Sequence, residues 1–197
     1  MPRVTQPVTF DEFLVLVPDG QKADLLDGVI HMASPDAPEA AEVNIFLIEI
    51  LSPFVRGRKL GKIYGPRSAF RLSKTHAPEP DLAFVRTGRL HLWKKSYFQG
   101  PPDLAIEIVT ADSVERDTVL KRRAFEEAGV GEYWLVDLVQ KRCAFLRLAD
   151  GRYREADLEA GSIFRSGVLP GFWIDCRWLT GKELPDPGVC LKQILGE

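Results

Sequence analysis

Two acidic residues occupy positions in apolar strands where a carboxylate has no obvious partner. Glu107 lies between two isoleucines in the run 103–109, DLAIEIV, which is apolar enough to predict a central strand of a sheet. Asp81 opens a second apolar run, DLAFV, and taken alone would be interpreted as a turn or cap residue. Glutamate is depleted in strands, and an unpaired buried carboxylate costs several kcal/mol or takes up a proton. One cation that meets both carboxylates would remove this cost.

A lysine and a further aspartate are predicted on the buried face of the helix that follows. When residues 113–128 are placed at about 100° per residue, Asp117 and Lys121 fall on the apolar face of that helix. The residues that define this face are Val114, Thr118, Phe125 and Ala128. The alternative is an i, i+4 ion pair at the edge of the core, with the lysine stem lying along apolar surface.

These residue types suit the hydrolysis of phosphodiester bonds with a divalent cation. Mg²⁺ takes oxygen ligands, usually one or two carboxylates together with water and substrate phosphate. The metal lowers the pKa of a bound water and neutralises charge in the transition state. Lys121 would position the phosphate or the water, and Asp117 would orient Lys121. The residues therefore predict a Mg²⁺ or Mn²⁺ site at Asp81 and Glu107.

The elements that must position these residues alternate between strands and helices. A capping box at Thr9 predicts a short N-terminal helix, and Asp27-Gly28 predicts the turn of a hairpin over 23–33. A helix is predicted over 38–56 and a loop over 86–102. Strands are predicted at 61–64, 68–72, 81–85, 103–109, 132–137 and 142–148, with additional C-terminal strands from 152 onward, an otherwise irregular segment 158–197 and a last helix near 188–195. This order predicts an α/β (α+β) domain with a mixed central sheet flanked by helices.

Length, composition and charge narrow the class of protein. The 197 residues suit a single domain, 1–197, with a core at about 22–150 and a C-terminal extension at about 151–197. A net charge of −2 differs from the strongly basic charge of DNA-coating proteins, so any nucleic-acid contact depends on a local basic patch or a metal. Residues 1–13 lack a signal-peptide pattern and no apolar stretch reaches 18 residues, so we expect a cytoplasmic protein without a membrane span.

The order of motifs resembles that of a nuclease superfamily. Pro80-Asp81, followed by Glu107-Ile108-Val109 on the next strand, resembles the P-D…(D/E)-x-K signature of restriction-endonuclease-like nucleases. More closely, the chain resembles the Uma-type family of putative restriction endonucleases. The segments that carry this resemblance are DLLDGVI (24–30), MASP (32–35), EPD (79–81), PPDLAIEIV (101–109), Asp117-x-x-x-Lys121 and AGVGEYWLVD (128–137).

The resemblance implies a restriction-endonuclease-like fold and a metal-dependent endonuclease site. It implies that Asp81 and Glu107 hold the metal, with help from the backbone carbonyl of Ile108. The expected partner is nucleic acid, and DNA is expected rather than RNA. The expected assembly is a homo-oligomer, most simply a dimer.

Several positions depart from the family pattern. Val109 occupies the position of the lysine that usually follows the acid by two residues, and Lys121 matches the helix position to which many relatives have moved it. Asp24 replaces a more usual glutamate and could serve as an outer-sphere acid. Ala40 lies where a histidine is common, and 110–112, Thr-Ala-Asp, replace a Ser-Pro-Ser run.

Three functions stay open on the residues alone. The first is the metal-dependent endonuclease. The second is a catalytically degenerate, binding or oligomeric protein on the same fold, which the near-neutral charge and the altered early motif favour. The third is a hydrolase that uses Asp81 and Glu107 as a metal-free acid/base pair, against which the inward Lys121 argues. Two basic segments, 56–67 and 86–97, could bind phosphates, or they could be a solvated face and an aromatic cover over the sheet.

Overall fold

Strands and helices alternate along the computed structural model, which describes residues 6–18, 20–35 and 37–197. The strands are β1 Ala23–Leu26, β2 Val29–Met32, β3 Gly61–Tyr64, β4 Ala69–Arg71, β5 Leu82–Arg86, β6 Tyr97–Gln99, β7 Leu104–Val109, β8 Glu132–Asp137, β9 Arg142–Ala149, β10 Arg152–Glu155, β11 Ile163–Arg165 and β12 Trp173–Asp175. The α-helices are α1 Phe10–Leu16, α2 Pro38–Gly57, α3 Arg122–Ala128, α4 Cys176–Thr180 and α5 Pro187–Leu195. A 3₁₀ helix covers Thr87–Leu92, and a π-helical turn, Arg116–Lys121, leads directly into α3.

Six strands form the central sheet in the order β10-β9-β8-β7-β5-β3. Neighbouring strands are antiparallel except β7 and β8, which run parallel. Every residue of β7 and β8 is buried, because helices cover both faces of the sheet at its centre. A strand buried on both faces needs a nearly continuous apolar sequence, the property that predicted both strands. The predicted mixed sheet flanked by helices is thereby confirmed.

The alternation of side chains along β7 determines which way its acidic residue points. The even-numbered side chains of β7 lie in the core cluster formed with α2 and the C-terminal segment. The odd-numbered Ala105 and Val109 pack with Phe125 of α3 on the opposite face. Glu107 shares that face because strand side chains alternate, and it therefore points toward the helical segment that carries Lys121.

The N-terminal elements agree with the sequence prediction. In the capping box of α1, the Thr9 amide donates to Glu12 at 2.8 Å, and the Glu12 amide donates to the Thr9 hydroxyl. Asp27 and Gly28 have φ values of 51° and 72°, the left-handed conformations that a tight hairpin turn requires. Backbone hydrogen bonds in both directions between Leu25 and Ala77 then attach the β1–β2 hairpin to the segment that leads into β5.

Two sequence predictions were incomplete. The predicted loop 86–102 contains the 3₁₀ helix and β6, which pairs with β4 in a separate parallel ribbon. The segment 158–197, predicted to be mostly irregular, contains the antiparallel pair β11–β12 and the helix α4 as well as α5. These elements are too short to show a hydrophobic period. Within the described part of the chain, no helix has the length and apolarity needed to cross a bilayer.

The C-terminal extension shares its core with the central sheet. Phe164 stacks on Phe145 of β9 with ring centroids 4.0 Å apart, and it also packs edge-on against Trp134 of β8. Phe172 packs against Trp134 and against Phe54 of α2. Because this apolar surface is continuous, we propose that residues 1–197 form a single domain rather than a core with a separable extension.

A buried glutamate connects the extension to the sheet. Glu132, at the start of β8, is almost fully buried. Its carboxylate accepts hydrogen bonds from the Gly167 amide at 2.6 Å, the Ser166 hydroxyl at 2.8 Å and the Trp134 indole at 3.1 Å. Arg147 supplies a positive charge at 3.4 Å. The carboxylate therefore holds the loop after β11 against β8.

Replacing Glu132 with alanine should lower the free energy of unfolding by about 3 kcal/mol, because several buried donors lose their acceptor at once. Urea denaturation followed by circular dichroism measures the change. The matched control is Glu155→Ala on exposed β10, which should change stability by less than about 0.5 kcal/mol. If residues 1–197 form one domain, both variants unfold in a single transition. Two separate transitions, or an equal effect of both substitutions, would contradict this account.

Candidate active site

The hairpin brings Asp24 of β1 and Lys22, just before β1, to the start of β5. The Asp24 carboxylate accepts a hydrogen bond from the Glu79 amide at 2.7 Å, and the Glu79 carboxylate accepts one from the Ala23 amide at 3.3 Å. This reciprocal pair fixes β1 beside the residues that precede Asp81. Lys22 lies two residues before Asp24, and its ammonium pairs with the Asp81 carboxylate.

Asp81 lies immediately before β5, and its side chain extends the hydrogen bonding between β5 and β7. The last paired residues of β5 and β7 are Leu82 and Ile106. Beyond them, one oxygen of the Asp81 carboxylate accepts the Ile108 amide of β7 at 2.7 Å, and the other oxygen pairs with Lys22. Burial alone would raise the pKa of Asp81, but the charges of Lys22 and Lys121 and these hydrogen bonds together lower that pKa below its usual value. Asp81 is therefore ionised and fixed in position.

The ammonium of Lys121 lies among three carboxylates that come from different parts of the chain. It is 2.9 Å from Glu107 Oε1, 3.2 Å from Asp24 Oδ2 and 3.6 Å from Asp117 Oδ1. These four residues, called here the Lys121 cluster, are all at most 2% exposed. Burial alone would lower the pKa of Lys121, but the three carboxylates raise it, so the lysine stays charged. Helical spacing predicted the inward direction of both Asp117 and Lys121, and the structure agrees.

Burial raises the pKa of two carboxyl groups of the cluster. Burial raises the pKa of Glu107 well above its usual value, and the charges of Asp117 and Asp81 add to this effect against the opposing charge of Lys121. Burial likewise raises the pKa of Asp117, although Lys121 and a hydrogen bond from Ser113 oppose the shift. Within the described residues, Asp24 Oδ2 and Asp117 Oδ1 accept no hydrogen bond of good geometry. The cluster thus has more acceptor oxygens than the protein's donors satisfy.

The π-helical turn brings a second cation to the cluster. Arg116 Nε is 3.4 Å from Asp24 Oδ2 and 3.5 Å from Asp117 Oδ1. Hydrogen bonds in a π-helix run from residue i to i+5, which widens the turn, and single π-turns are frequent at functional sites. The sequence prediction placed residues 113–128 at about 100° per residue, as in a regular α-helix, and did not assign Arg116 to the site.

A cavity of about 210 Å³ opens onto the two predicted metal ligands. Its charged lining consists of Lys22, Asp81, Glu107, Asp112, Arg116 and Asp117, and the backbone of the Ile108 region also borders it. Neither Lys121 nor Asp24 lines this cavity. The structure therefore brings Asp81, Glu107 and Ile108 to one opening, and places Lys121 behind Glu107.

Sequence reasoning missed three members of this site. Lys22 and Arg116 line the cavity, and Glu79 lies buried next to Asp24. One available signal was the two-residue spacing of Lys22 and Asp24, which puts both on one face of a strand. For Glu79, which precedes a proline in a segment without regular structure, the signal was its place in the EPD motif at 79–81, to which no role was assigned.

The two basic segments lie away from the cavity. Arg86 and Arg89 pair with the buried Asp103 at 2.6 and 3.1 Å. Trp93 packs against Tyr64 and neighbouring aromatic rings as part of a cluster over the sheet. For residues 86–97 the structure thus favours the aromatic cover over a nucleic-acid grip.

A comparison with protein families identifies the chain's relatives. A family model described as "Uma2: Putative restriction endonuclease" matches residues 10–177. The chain belongs to the Uma2 family. The resemblance found in the sequence is thereby confirmed, and the matched range includes the whole Lys121 cluster together with Asp81.

A solved structure supports the same fold for this Uma2 protein. A crystal structure from Anabaena variabilis ATCC 29413, described as a putative nuclease belonging to DUF820, is similar with a TM-score of 0.73 and 16% sequence identity. The alignment covers 88% of this chain and 98% of that chain. At this identity the likeness shows a shared fold. No curated protein matches the chain.

The pKa of Glu79 leads to a test of the site's electrostatics. Burial raises this pKa to about 7, against the opposing hydrogen bond from Ala23. The folded protein thus binds the Glu79 proton more tightly than the unfolded chain does, so the stability that the protonated form contributes is lost as pH rises from about 4.5 to about 7.

Glu79→Gln should remove this loss in metal-free protein. The variant is expected to gain about 1–2 kcal/mol over wild type at pH 8 and little at pH 4.5, because glutamine stays neutral at both. Urea denaturation across this pH range measures the difference, with the exposed Glu127→Gln as control. A stability difference from wild type that is independent of pH would count against the raised pKa.

Proposed function

We propose that this Uma2 protein is an endonuclease that hydrolyses nucleic-acid phosphodiester bonds with Mg²⁺ or Mn²⁺. The observation that carries the proposal is the meeting of Asp81, just before β5, and Glu107, within the neighbouring strand β7, at one cavity beside Ile108. Family membership supports nuclease chemistry in general. We propose the metal, the substrate and the roles of the residues in addition.

The donor set at the cavity fits a hard divalent cation. Two carboxylates and a backbone carbonyl are oxygen ligands of the kind that Mg²⁺ prefers alongside water. In a strand, the N–H and C=O of one residue point to the same side, so the carbonyl of Ile108 lies on the side where its amide meets Asp81. Among the described residues, no group of three or more histidine, cysteine, aspartate or glutamate side chains is arranged to hold a metal. The proposed ion therefore needs the carbonyl, solvent or substrate to complete its coordination.

The charge of the site also favours a cation. Five buried carboxyl groups lie close together against three cationic side chains, whereas Asp112, which also lines the cavity, is exposed. The carboxyl groups are Asp24, Glu79, Asp81, Glu107 and Asp117, and the cations are Lys22, Arg116 and Lys121. If all were ionised, one divalent ion would balance the remaining charge, and its field would lower the raised pKa values of Glu79 and Glu107.

Each part of the chain has a definite task in this proposal. A bound cation supplies Lewis acidity, which lowers the pKa of a coordinated water and neutralises charge on the phosphate. The Ile108 amide orients the Asp81 carboxylate by a hydrogen bond, and the Lys121 ammonium orients the Glu107 carboxylate in the same way. Asp24 and Asp117 keep Lys121 in place. The prediction that Lys121 itself positions the phosphate or the water stays a prediction, while its geometry supports a role through Glu107.

The remaining proposals follow from the class of reaction. The substrate is nucleic acid, because the cavity combines acidic metal ligands with the cations Lys22 and Arg116, which suit a phosphate. DNA is the first form to test. We also propose a homodimeric assembly and a cytoplasmic location.

One observation favours a second candidate, a non-catalytic binding protein on the nuclease fold. Both proposed metal ligands already have a protein cation, Lys22 for Asp81 and Lys121 for Glu107. A site satisfied in this way is stable without metal. The opposite pKa shifts of Asp81 and Glu107 would also suit a metal-free acid/base pair, but family membership argues for phosphodiester chemistry.

The deciding experiment combines metal binding with cleavage. Wild-type protein, the double variant Asp81→Asn/Glu107→Gln and the exposed control Asp157→Asn are titrated with Mn²⁺ and Mg²⁺, while melting temperature and nicking of supercoiled plasmid are followed. Metal at about a hundred times its dissociation constant should stabilise wild type and control by about 2.7 kcal/mol. Both should cut the plasmid, and the double variant should do neither.

Other outcomes separate the alternatives. Metal binding without cleavage of plasmid or of RNA would favour the binding protein. Cleavage that persists after chelation by EDTA would contradict metal dependence. A wild-type protein that neither binds metal nor cuts would make Asp81 and Glu107 structural residues.

A further inference from the structure

Lys22 occupies a position that the proposed reaction leaves unexplained. Its ammonium pairs with the Asp81 oxygen that does not receive the Ile108 amide. Both oxygens of Asp81 are therefore engaged by protein donors. Each carboxylate oxygen has two lone pairs, but an ammonium and a divalent cation at the same oxygen repel each other, so a divalent cation that binds the oxygen held by Lys22 competes with Lys22.

Lys22 differs from Lys121 in its access to the cavity. The side chain of Lys22 is 15% exposed and lines the cavity, whereas that of Lys121 is 0% exposed and does not. Lys121 is bounded by three carboxylates, but Lys22 has a single ion-pair partner among the described residues. Only Lys22 can therefore leave its carboxylate without leaving several buried charges unpaired.

The backbone at Lys22 is hydrogen-bonded within the hairpin, whereas its side chain lines the cavity. The carbonyl of Lys22 accepts the Ala33 amide at 3.0 Å, which extends the β1–β2 hairpin, and Ala33 borders the same cavity. A lysine carries its charge on a flexible four-carbon stem. Because Lys22 lines the cavity, rotation about the bonds of this stem is the simplest movement by which the ammonium could leave Asp81.

We infer that Lys22 is an internal counter-ion of Asp81, which a divalent cation displaces, and that the displaced ammonium binds a phosphate oxygen of the substrate in the cavity. This inference rests on the proposed metal site and adds to it a competition between two cations for one carboxylate oxygen. Metal binding and substrate binding are coupled through Lys22, because the ammonium faces the cavity fully only after the metal has taken its partner.

The test uses variants that remove or keep the charge. Lys22→Met keeps the length of the stem without the ammonium, Lys22→Arg keeps the positive charge, and Lys192→Met on α5 is a control for an exposed lysine away from the cavity. Mn²⁺ affinity is measured by isothermal titration calorimetry at pH 8. DNA affinity is measured by fluorescence anisotropy of a fluorescein-labelled duplex in Ca²⁺ as a substitute metal.

The two affinities should move in opposite directions in Lys22→Met. Mn²⁺ should bind about five- to tenfold more tightly, since the competing ammonium is gone, and the duplex should bind about five- to tenfold more weakly. Lys22→Arg should stay within about twofold of wild type for the duplex, and Lys192→Met should match wild type in both assays.

Each other result has a definite meaning. If wild type and Lys22→Met bind Mn²⁺ with equal affinity, Lys22 does not compete with the metal for Asp81, but the metal site itself stands. Tighter Mn²⁺ with unchanged duplex affinity overturns the phosphate contact. If no variant binds Mn²⁺, both this inference and the metal site are overturned. Should Lys22→Met not fold, Lys22→Gln carries the same test, because glutamine removes the positive charge and keeps a polar side chain.

Discussion

The ammonium of Lys121, buried among three carboxylates, is the interaction on which the rest of the site depends. Removing one partner from a buried ion cluster typically costs about 3–5 kcal/mol, because the remaining charges lose their counter-ion. Asp24 comes from the hairpin, Glu107 from the central strand and Asp117 from the π-helical turn. Because one ammonium meets all three, it sets the relative positions of these elements.

That constraint explains why Glu107 can lie in a central strand. The strand is buried on both faces, and a carboxylate there needs a cation on the helical side of the sheet. Lys121 supplies that positive charge. Asp81 lies just before the first residue of β5, where its carboxylate accepts the Ile108 amide of β7. An opening with two carboxylates results, although the surrounding sheet is apolar.

The sequence predicted the parts of this arrangement that break a regular pattern. Glu107 stood out in an apolar strand, and Asp117 and Lys121 stood out on the apolar face of a helix. Spacing alone left an ion pair at the edge of the core as an alternative for the helix residues, and the structure shows that both are buried. The central strands were equally visible, because burial on both faces demands a nearly continuous apolar run. The ligand roles of Asp81 and Glu107 were predicted from their residue types and from the motif resemblance, and they remain a proposal.

The sequence could not predict what depends on contacts between distant segments. Glu79 and Lys22 join the site through the pairing of the hairpin with the chain before β5, which no local period encodes. Arg116 depends on a π-helical turn inside a helix that was predicted as regular. The strands β6, β11 and β12 each have three residues, too few for an alternating pattern to show, although β4, equally short, was predicted within 68–72.

The most direct test of the central claim is a crystal structure of the wild-type protein grown with Mn²⁺, with diffraction recorded near the manganese absorption edge. The account predicts an anomalous peak in the cavity, bonded to Asp81, Glu107 and the carbonyl of Ile108 at about 2.1–2.3 Å, with Lys121 still beside Glu107. A fully ordered cavity with no peak at saturating Mn²⁺, or a peak bound only by residues elsewhere on the surface, would contradict it.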